Sequence, residues 1–413
     1  MDRIILHSDL NNFYASVECL LHPELKNKYV AVCGNKEDRH GIVLAKNMAA
    51  KNMGVKTGEA IWEAMTKCPE LIVVPPTFHE YARFSALVTS IYKRYTNQVE
   101  PFGMDECWLD VSGSTSLFGS GTEIAESIRR TVKEETGLTV SVGVSFNKVF
   151  AKLGSDLKKP DAVSEITKEN FKQIVWNLPA ECLMGVGRAT EKKLRLQNIT
   201  TIGDIANTPS QYLERMLGKC GVILHNHANG IDTSPVVDAD YSYPVKSIGH
   251  GITTTSDLTG YREVKNVFLH LSADVAHRLR LNRFKAGGIA ISVRYPGMDN
   301  REFQCQLEYP TVSMQAMTAA AMELFCSNHP RNCKVRALTI RAINLVPDNV
   351  AIQTSMFCDT QRLEKELRAE DVMENINNRF GENTMTYASV LGDIKIPYKD
   401  KKELILPRGY LQG

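Results

Sequence analysis

Hydrophobic positions in the first 165 residues switch between two periods. Residues 4–8 form a short apolar run that predicts a buried strand, and residues 11–21 carry helical spacing. A second apolar strand is expected near 29–33, and 42–76 reads as helical, interrupted by Gly54 and Gly58. Over 78–95, Tyr81, Phe84, Leu87, Val88, Ile91 and Tyr95 recur at helical spacing, which predicts an amphipathic helix. A strand at 107–111 follows Pro101 and Gly103, and a charged-faced helix at 123–135 stops at Gly137. Leu138, Val140, Val142 and Val144 alternate with Thr139, Ser141 and Gly143, the pattern of a strand with one open face. Antiparallel strands with helices on one side make an α+β layer.

The pattern then changes twice. Residues 171–231 are helical, with turns at 185–187, Gly203 and Gly218. Strands are expected at 245–255, 289–295, 301–307 and 336–345, and helices at 264–284 and 313–325. The order strand, helix, two strands, helix, strand is a split βαβ module. The stretch 233–240, with Pro235, Asp238 and Asp240, reads as a linker, and the tail carries one charged helix at 362–379. At roughly 150 residues per domain, 413 residues imply two to four domains.

Composition excludes several classes. No apolar run reaches the ~20 residues of a membrane span. No basic, apolar, small-residue succession opens the chain, so a cytoplasmic location is the default. The 10 cysteines include no C-x-x-C pair, so they read as reduced, mostly buried thiols. No G-x-G-x-x-G follows a strand, and no Walker A run occurs. Net charge is only +2, but residues 241–347 hold 13 Lys/Arg against 7 Asp/Glu, a local +6 on a body of −4. A basic module beside a slightly acidic body suits a protein that grips a polyanion with one part and binds metal with another.

Asp9 ends the first strand, and Asp105-Glu106 stands at the mouth of another. If those strands are neighbours, three carboxylates converge at one sheet edge. Hard divalent cations take oxygen ligands, and two such ions clamp an in-line phosphoryl displacement. The alternative is that each is a solvated strand-end residue. Asp110, two places beyond Trp108, is expected to make local hydrogen bonds instead.

Here a family resemblance enters. Asp9-Leu10-Asn11-Asn12-Phe13-Tyr14-Ala15-Ser16-Val17-Glu18 resembles the opening motif of Y-family translesion DNA polymerases, and Met104-Asp105-Glu106-Cys107-Trp108-Leu109-Asp110 resembles their second. Ser141-Val142-Gly143-Val144-Ser145-Phe146-Asn147-Lys148 and 151–160 resemble the third. Gly185-Val186-Gly187 with Thr201-Ile202-Gly203-Asp204 resembles the thumb hairpin, and Lys246-Ser247-Ile248-Gly249 the start of the family's extra DNA-gripping domain. The motifs run in order from about residue 1 to 390, and the bacterial DNA polymerase IV-like members are the most similar group.

The resemblance implies a multidomain α+β right hand. Its palm would be 1–20 with 78–165, its small fingers 21–77, and its helix-hairpin-helix thumb 166–232. The linker 233–240, a split βαβ little finger at 241–347 and a tail at 348–413 would complete it. Asp9, Asp105 and Glu106, with the backbone carbonyl of Leu10, would hold two Mg²⁺, with Mn²⁺ as the substitute ion. Tyr14 would be the steric gate against a ribose 2′-OH, beside Phe13, and Lys159 would meet the dNTP triphosphate. The family's fingers carry a Tyr-x-x-Arg pair. Met48 and Lys51 stand there instead, and lysine lacks the bidentate fork of arginine. Weaker or differently tuned nucleotide binding is therefore expected.

Primer-template DNA would be held by Gly185 and Gly187 and by Arg294, Arg301, Arg336 and Arg341 on strands. Gln353, Met356 and Phe357 resemble a sliding-clamp peptide, with tail packing as the alternative. The expected activity is error-prone, template-directed synthesis by a monomer, free of membrane, past damaged bases. Two other readings share the acidic residues: a catalytically weak polymerase-like DNA-binding repair accessory, and a nucleotidyl cyclase.

Overall fold

The computed structural model describes residues 3–34, 41–241, 243–330, 333–350, 360–381, 384–390, 392 and 394–397. The described chain forms two compact units, one within Met1–Gly34 and Ile42–Tyr243, the other within Pro244–Glu403.

The first unit opens with β1 (Ile5–Leu10) and α1 (Phe13–Leu21). The 42–76 stretch is not the broken helix that its spacing suggests. β2 (Val30–Cys33) pairs with β3 (Val43–Lys46) and, in parallel, with a strand at the end of this stretch. Between them lie α2 (Met48–Asn52), α3 (Ile61–Lys67) and then that strand, β4 (Ile72–Val74). The strands are only three or four residues long, too short to show a period of two. α4 (Phe78–Tyr92) ends one turn earlier than expected.

β5 (Val99–Phe102), β6 (Glu106–Asp110), the short α5 (Thr115–Phe118), α6 (Gly121–Thr136), β7 (Val140–Ser145), α7 (Lys148–Leu157) and β8 (Val163–Ile166) complete the five-stranded layer. The sheet order is β5-β6-β1-β7-β8, antiparallel except for the last pair. α6 is well delimited: Ser120 and Glu123 form a capping box, and Gly137 closes the helix in the left-handed region. Apolar residues of α1, α4 and α6 pack on one sheet face with Leu6, Leu109, Val140 and Val142.

The open face expected for 138–144 is not open. Every residue of β7 is buried, because α7 lies directly on the other side. Gly143 makes this possible, since a Cβ there would stand 1.9 Å from the Ala151 carbonyl oxygen. Helices thus cover both faces of the sheet.

α8 (Phe171–Val175), α9 (Arg188–Arg195), α10 (Ile202–Asn207), α11 (Ser210–Leu217) and α12 (Lys219–Ala228) form a helical subdomain whose core continues into Phe150 and Leu153 of α7. The Thr201–Asp204 motif is the capping box of α10. The stretch expected to be a linker is strapped to the sheet. Val236 is buried against Ile5, Trp108 and Ala151, and Ala239 donates its N–H to the Asn97 carbonyl. Glu100 accepts from Lys148 Nζ, Val237 N–H and the Tyr243 hydroxyl.

The second unit contains β9 (Ile248–Leu258), α13 (Tyr261–Leu281), β10 (Phe284–Arg294), β11 (Asn300–Thr311), α14 (Met314–Asn328) and β12 (Val335–Pro347), with sheet order β11-β10-β12-β9, the split βαβ module expected. α15 (Thr360–Phe380) packs on this unit. Its buried Glu370 accepts from the Ser313 hydroxyl and from the N–H groups of Met314 and Gln315, capping α14 from outside its own chain segment. Of the described cysteines, Cys33, Cys68 and Cys107 are buried, but Cys182, Cys220, Cys326 and Cys333 are exposed, so the thiols are free but not mostly buried. No helix of the described residues is long and apolar enough to cross a membrane.

Candidate active site

The strand register assembles the acidic residues. β1 and β6 are antiparallel neighbours, with Asp9 directly opposite Glu106. Asp105 is tied to the end of β1, because its carbonyl accepts the Leu10 N–H at 2.9 Å. Asp9 is 9% exposed, so its carboxyl sits at the rim of a largely dry site. Asp110 turns away and accepts from the N–H and hydroxyl of Ser112, at 3.0 and 2.6 Å, as its expected local role requires.

Two lysines face these carboxylates. Lys159 Nζ lies 2.9 Å from Asp9 Oδ2 and 2.8 Å from Asp156 Oδ1. Lys152, from α7, pairs with Glu106 Oε2. The loop bearing Lys159 is fixed by Asp161, whose N–H donates to Asn11 Oδ1 at 2.8 Å. The Asp161 carboxylate pairs with Arg129 and Lys133, each at 2.7 Å. Among the described residues no group of three or more His, Cys, Asp or Glu side chains forms a ready-made metal cage. The acids are balanced by ammonium groups instead.

The electrostatics differ from acid to acid. Burial raises the Asp9 carboxyl to about 6, against the pull of Lys159. Burial, reinforced by Glu106, also raises Asp105. Burial opposes ionisation of Glu106 too, but the His7 hydrogen bond and the Lys152 charge outweigh it and hold this carboxyl down at about 2. Oxygen donors that pay for their charge in a dry site suit a hard divalent cation, which would offset the same burial.

Tyr14, half-buried on α1, stacks on Tyr81 with ring centroids 4.3 Å apart, and its hydroxyl donates to Met104 Sδ at 3.6 Å. Phe13 is only 3% exposed; it backs Tyr14 from the core and does not line the site. Asn12 takes the left-handed conformation at φ 50°, which asparagine tolerates better than most residues, and so starts α1 just past the acidic edge. Met48 and Lys51 ride on α2 of the small three-stranded layer, Met48 half-buried and Lys51 exposed.

The residues expected to meet DNA are only partly free to do so. Gly185 sits at φ 97°, a left-handed turn that glycine permits. Gly187 caps α9 at φ −85° with open space around it. Arg294 and Arg341 alternate with core-facing residues and so share the sheet face away from α13 and α14. Arg341 is paired with Glu302 and Arg294 is exposed. Arg336 is half-buried beside a bulge. Arg301 departs from expectation: it shares strand parity with the inward Phe303 and Cys305 and pairs with Asp299 at 3.1 Å. Gln353, Met356 and Phe357 lie outside the described residues.

Spacing along the sequence did not reveal His7, Lys152 or Ser155 as site residues. The available signals were the 151–160 motif, which contains Lys152 and Ser155, and His7, a polar residue in the 4–8 run read as a buried strand.

Comparison with known proteins fits this geometry. The model of the impB/mucB/samB family matches residues 8–156, that of the family's C-terminal domain residues 245–356, and that of the DNA polymerase-iota thumb domain residues 181–232. DNA polymerase IV of Acetivibrio thermocellus is 49% identical over 95% of this chain and 98% of its own length. DNA polymerase IV of Pelotomaculum thermopropionicum is 39% identical over 93% of this chain and 94% of its own. A solved Y-family DNA polymerase chimera superposes with a TM-score of 0.74 at 23% identity, over 83% of this chain and 99% of that one, a likeness of fold. Family matches in chain order, two relatives similar along nearly their whole length and the shared fold together show that the chain belongs to the Y-family DNA polymerases, with the DNA polymerase IV proteins of the impB/mucB/samB family.

Proposed function

We propose that the chain extends a primer past damaged template bases, joining the primer 3′-OH to the α-phosphorus of a dNTP and releasing pyrophosphate. The observation that carries this reading is the Asp9–Glu106 register, with Asp105 bonded to Leu10 beside it. Divalent-metal dependence comes with the family. Asp9, Asp105, Glu106 and the Leu10 carbonyl would hold two ions, Mg²⁺ for preference and Mn²⁺ as substitute. When bound, such ions neutralise charge on the attacking and leaving oxygens. The chain's own groups do the rest. Lys159 meets the triphosphate as a point charge, and Tyr14, braced by Tyr81, occupies the space a 2′-OH would need. Arg294 and Arg341 hold the duplex backbone without reading its sequence.

Primer extension on an undamaged and a lesion-bearing template tests this directly. Extension with Mg²⁺ that vanishes in Asp105→Ala/Glu106→Ala is the expected result. No extension with either ion, while DNA binding persists, would sink the assignment of the metal site and favour the accessory reading. In the same assay, Met48→Tyr with Lys51→Arg should lower the KM for dNTP; an unchanged KM removes those two positions from the nucleotide site. We also assign Gln353, Met356 and Phe357 to a sliding clamp. Clamp stimulation of synthesis that survives Met356→Ala/Phe357→Ala would end that assignment.

A further inference from the structure

His7 stands on β1 two residues before Asp9, and its side chain is fully buried. Its ring meets Trp108 edge-on, with centroids 5.3 Å apart. Nδ1 lies 2.8 Å from Ser155 Oγ on α7. Nε2 lies 3.2 Å from Glu106 Oε2, within ion-pair distance, and makes no well-aligned hydrogen bond among the described residues. A buried ring nitrogen with one polar atom in front of it has little freedom in what it can do.

The proton count narrows this further. A neutral imidazole has one N–H and one lone pair. With the proton on Nδ1, the Nε2 lone pair would face a carboxylate, a repulsion that a dry site does not screen. With the proton on Nε2, the ring offers an N–H to the carboxylate 3.2 Å away, which a small turn of the Glu106 side chain would align, and Nδ1 accepts from the Ser155 hydroxyl. Ser155 Oγ also lies 2.7 Å from the Lys152 carbonyl, so its single proton has two acceptors to choose between. Only the His7 choice leaves every partner of the ring satisfied. Lys152 holds the same Oε2, so Oε1 is the oxygen left to a ligand.

We propose that His7 is a positioning residue for the polymerase reaction: its Nε2–H fixes the rotamer of the Glu106 carboxylate, and Ser155 fixes the tautomer of His7. The proposal rests on the reading of Glu106 as a cation-holding carboxylate. A group that orients a metal ligand typically contributes about 10- to 100-fold in metal affinity or activity.

The test uses full-length His7→Leu, His7→Gln and Ser155→Ala, with Mn²⁺ binding followed by electron paramagnetic resonance without substrate. Single-nucleotide incorporation is measured across a metal titration, and thermal unfolding monitors the fold. His7→Leu should weaken Mn²⁺ binding ~10-fold and raise the metal needed for half-maximal rate by a similar factor, with the KM for dNTP unchanged. His7→Gln, which keeps an N–H donor, should recover most of this, and Ser155→Ala should fall between. Mn²⁺ binding unchanged in folded His7→Leu overturns the proposal. So does a His7→Gln variant no better than His7→Leu with the same loss of thermal stability, which would mean packing alone. Wild-type behaviour of Ser155→Ala overturns the tautomer step. Glu106→Gln separates the two levels: if it binds Mn²⁺ like wild type, the reading of Glu106 fails and the proposal with it, whatever His7 does.

Discussion

Asp9 is more costly to ionise in the fold than in the unfolded chain. Burial lifts its carboxyl from 3.8 to about 6 although Lys159 Nζ is 2.9 Å away. A carboxyl raised on folding favours the fold fully below the unfolded value, and that benefit is lost as pH rises through the folded one. For Asp9 the window runs from about 4 to about 6, and the rise corresponds to on the order of 3 kcal/mol. A divalent cation competes with that proton, so its stabilising effect should have the opposite slope. Thermal unfolding with and without Mn²⁺ should show a small shift in midpoint at pH 5 and a larger one at pH 7.5. A shift that is equal at both, or larger at the lower pH, would remove Asp9 from the site. Glu106 behaves differently: held at about 2, it stays ionised throughout that window.

The contact of β7 with α7 is the element on which the site depends, because α7 carries both Lys152 and Ser155. A Cβ on Gly143 would meet the backbone of α7 at Ala151 and Ser155, where no side chain can swing aside. Gly143→Ala should therefore cost about 3 kcal/mol of stability and lower activity further by displacing Lys152. A variant with wild-type stability in urea would show that the helix has room to move. This contact also marks the limit of what the sequence discloses. Asp9 and Asp105-Glu106 were legible as strand ends, because polar residues interrupt apolar runs there. Their adjacency was not, since pairing of β1 with β6 spans about a hundred residues and leaves no local pattern. The cover of α7 over β7 was hidden because Ser141 and Gly143, small residues that admit a helix, look like the exposed half of an alternating strand. The short strands β3 and β4 were lost for want of length, and the 233–240 strap because proline and aspartate are equally at home in a tied-down loop.

At the scale of the molecule, charge is divided by unit. The +6 of residues 241–347 sits on the split βαβ unit, while the acidic edge sits on the other. Binding of primer-template DNA should therefore weaken by ~10-fold or more between about 50 and about 200 mM salt, and Arg294→Ala should flatten that dependence. A salt-independent dissociation constant would mean that phosphate contacts are not what this unit provides. Fold class and the local excess of basic residues could be read before the structure. The role of the 362–379 helix could not, because a charged helix looks alike whether its partner is water or a buried N-terminus. That helix has a bearing on how such enzymes exchange parts. Glu370 of α15 serves α14, more than fifty residues earlier in the chain, and Arg280 of α13 pairs with Asp371 and Glu374 on the same helix. The match to the C-terminal family domain stops at residue 356, before any of these acids. A hybrid joined at that point would inherit a sheet and two helices from one parent and their cap from the other. The heritable module in this chain runs on through α15.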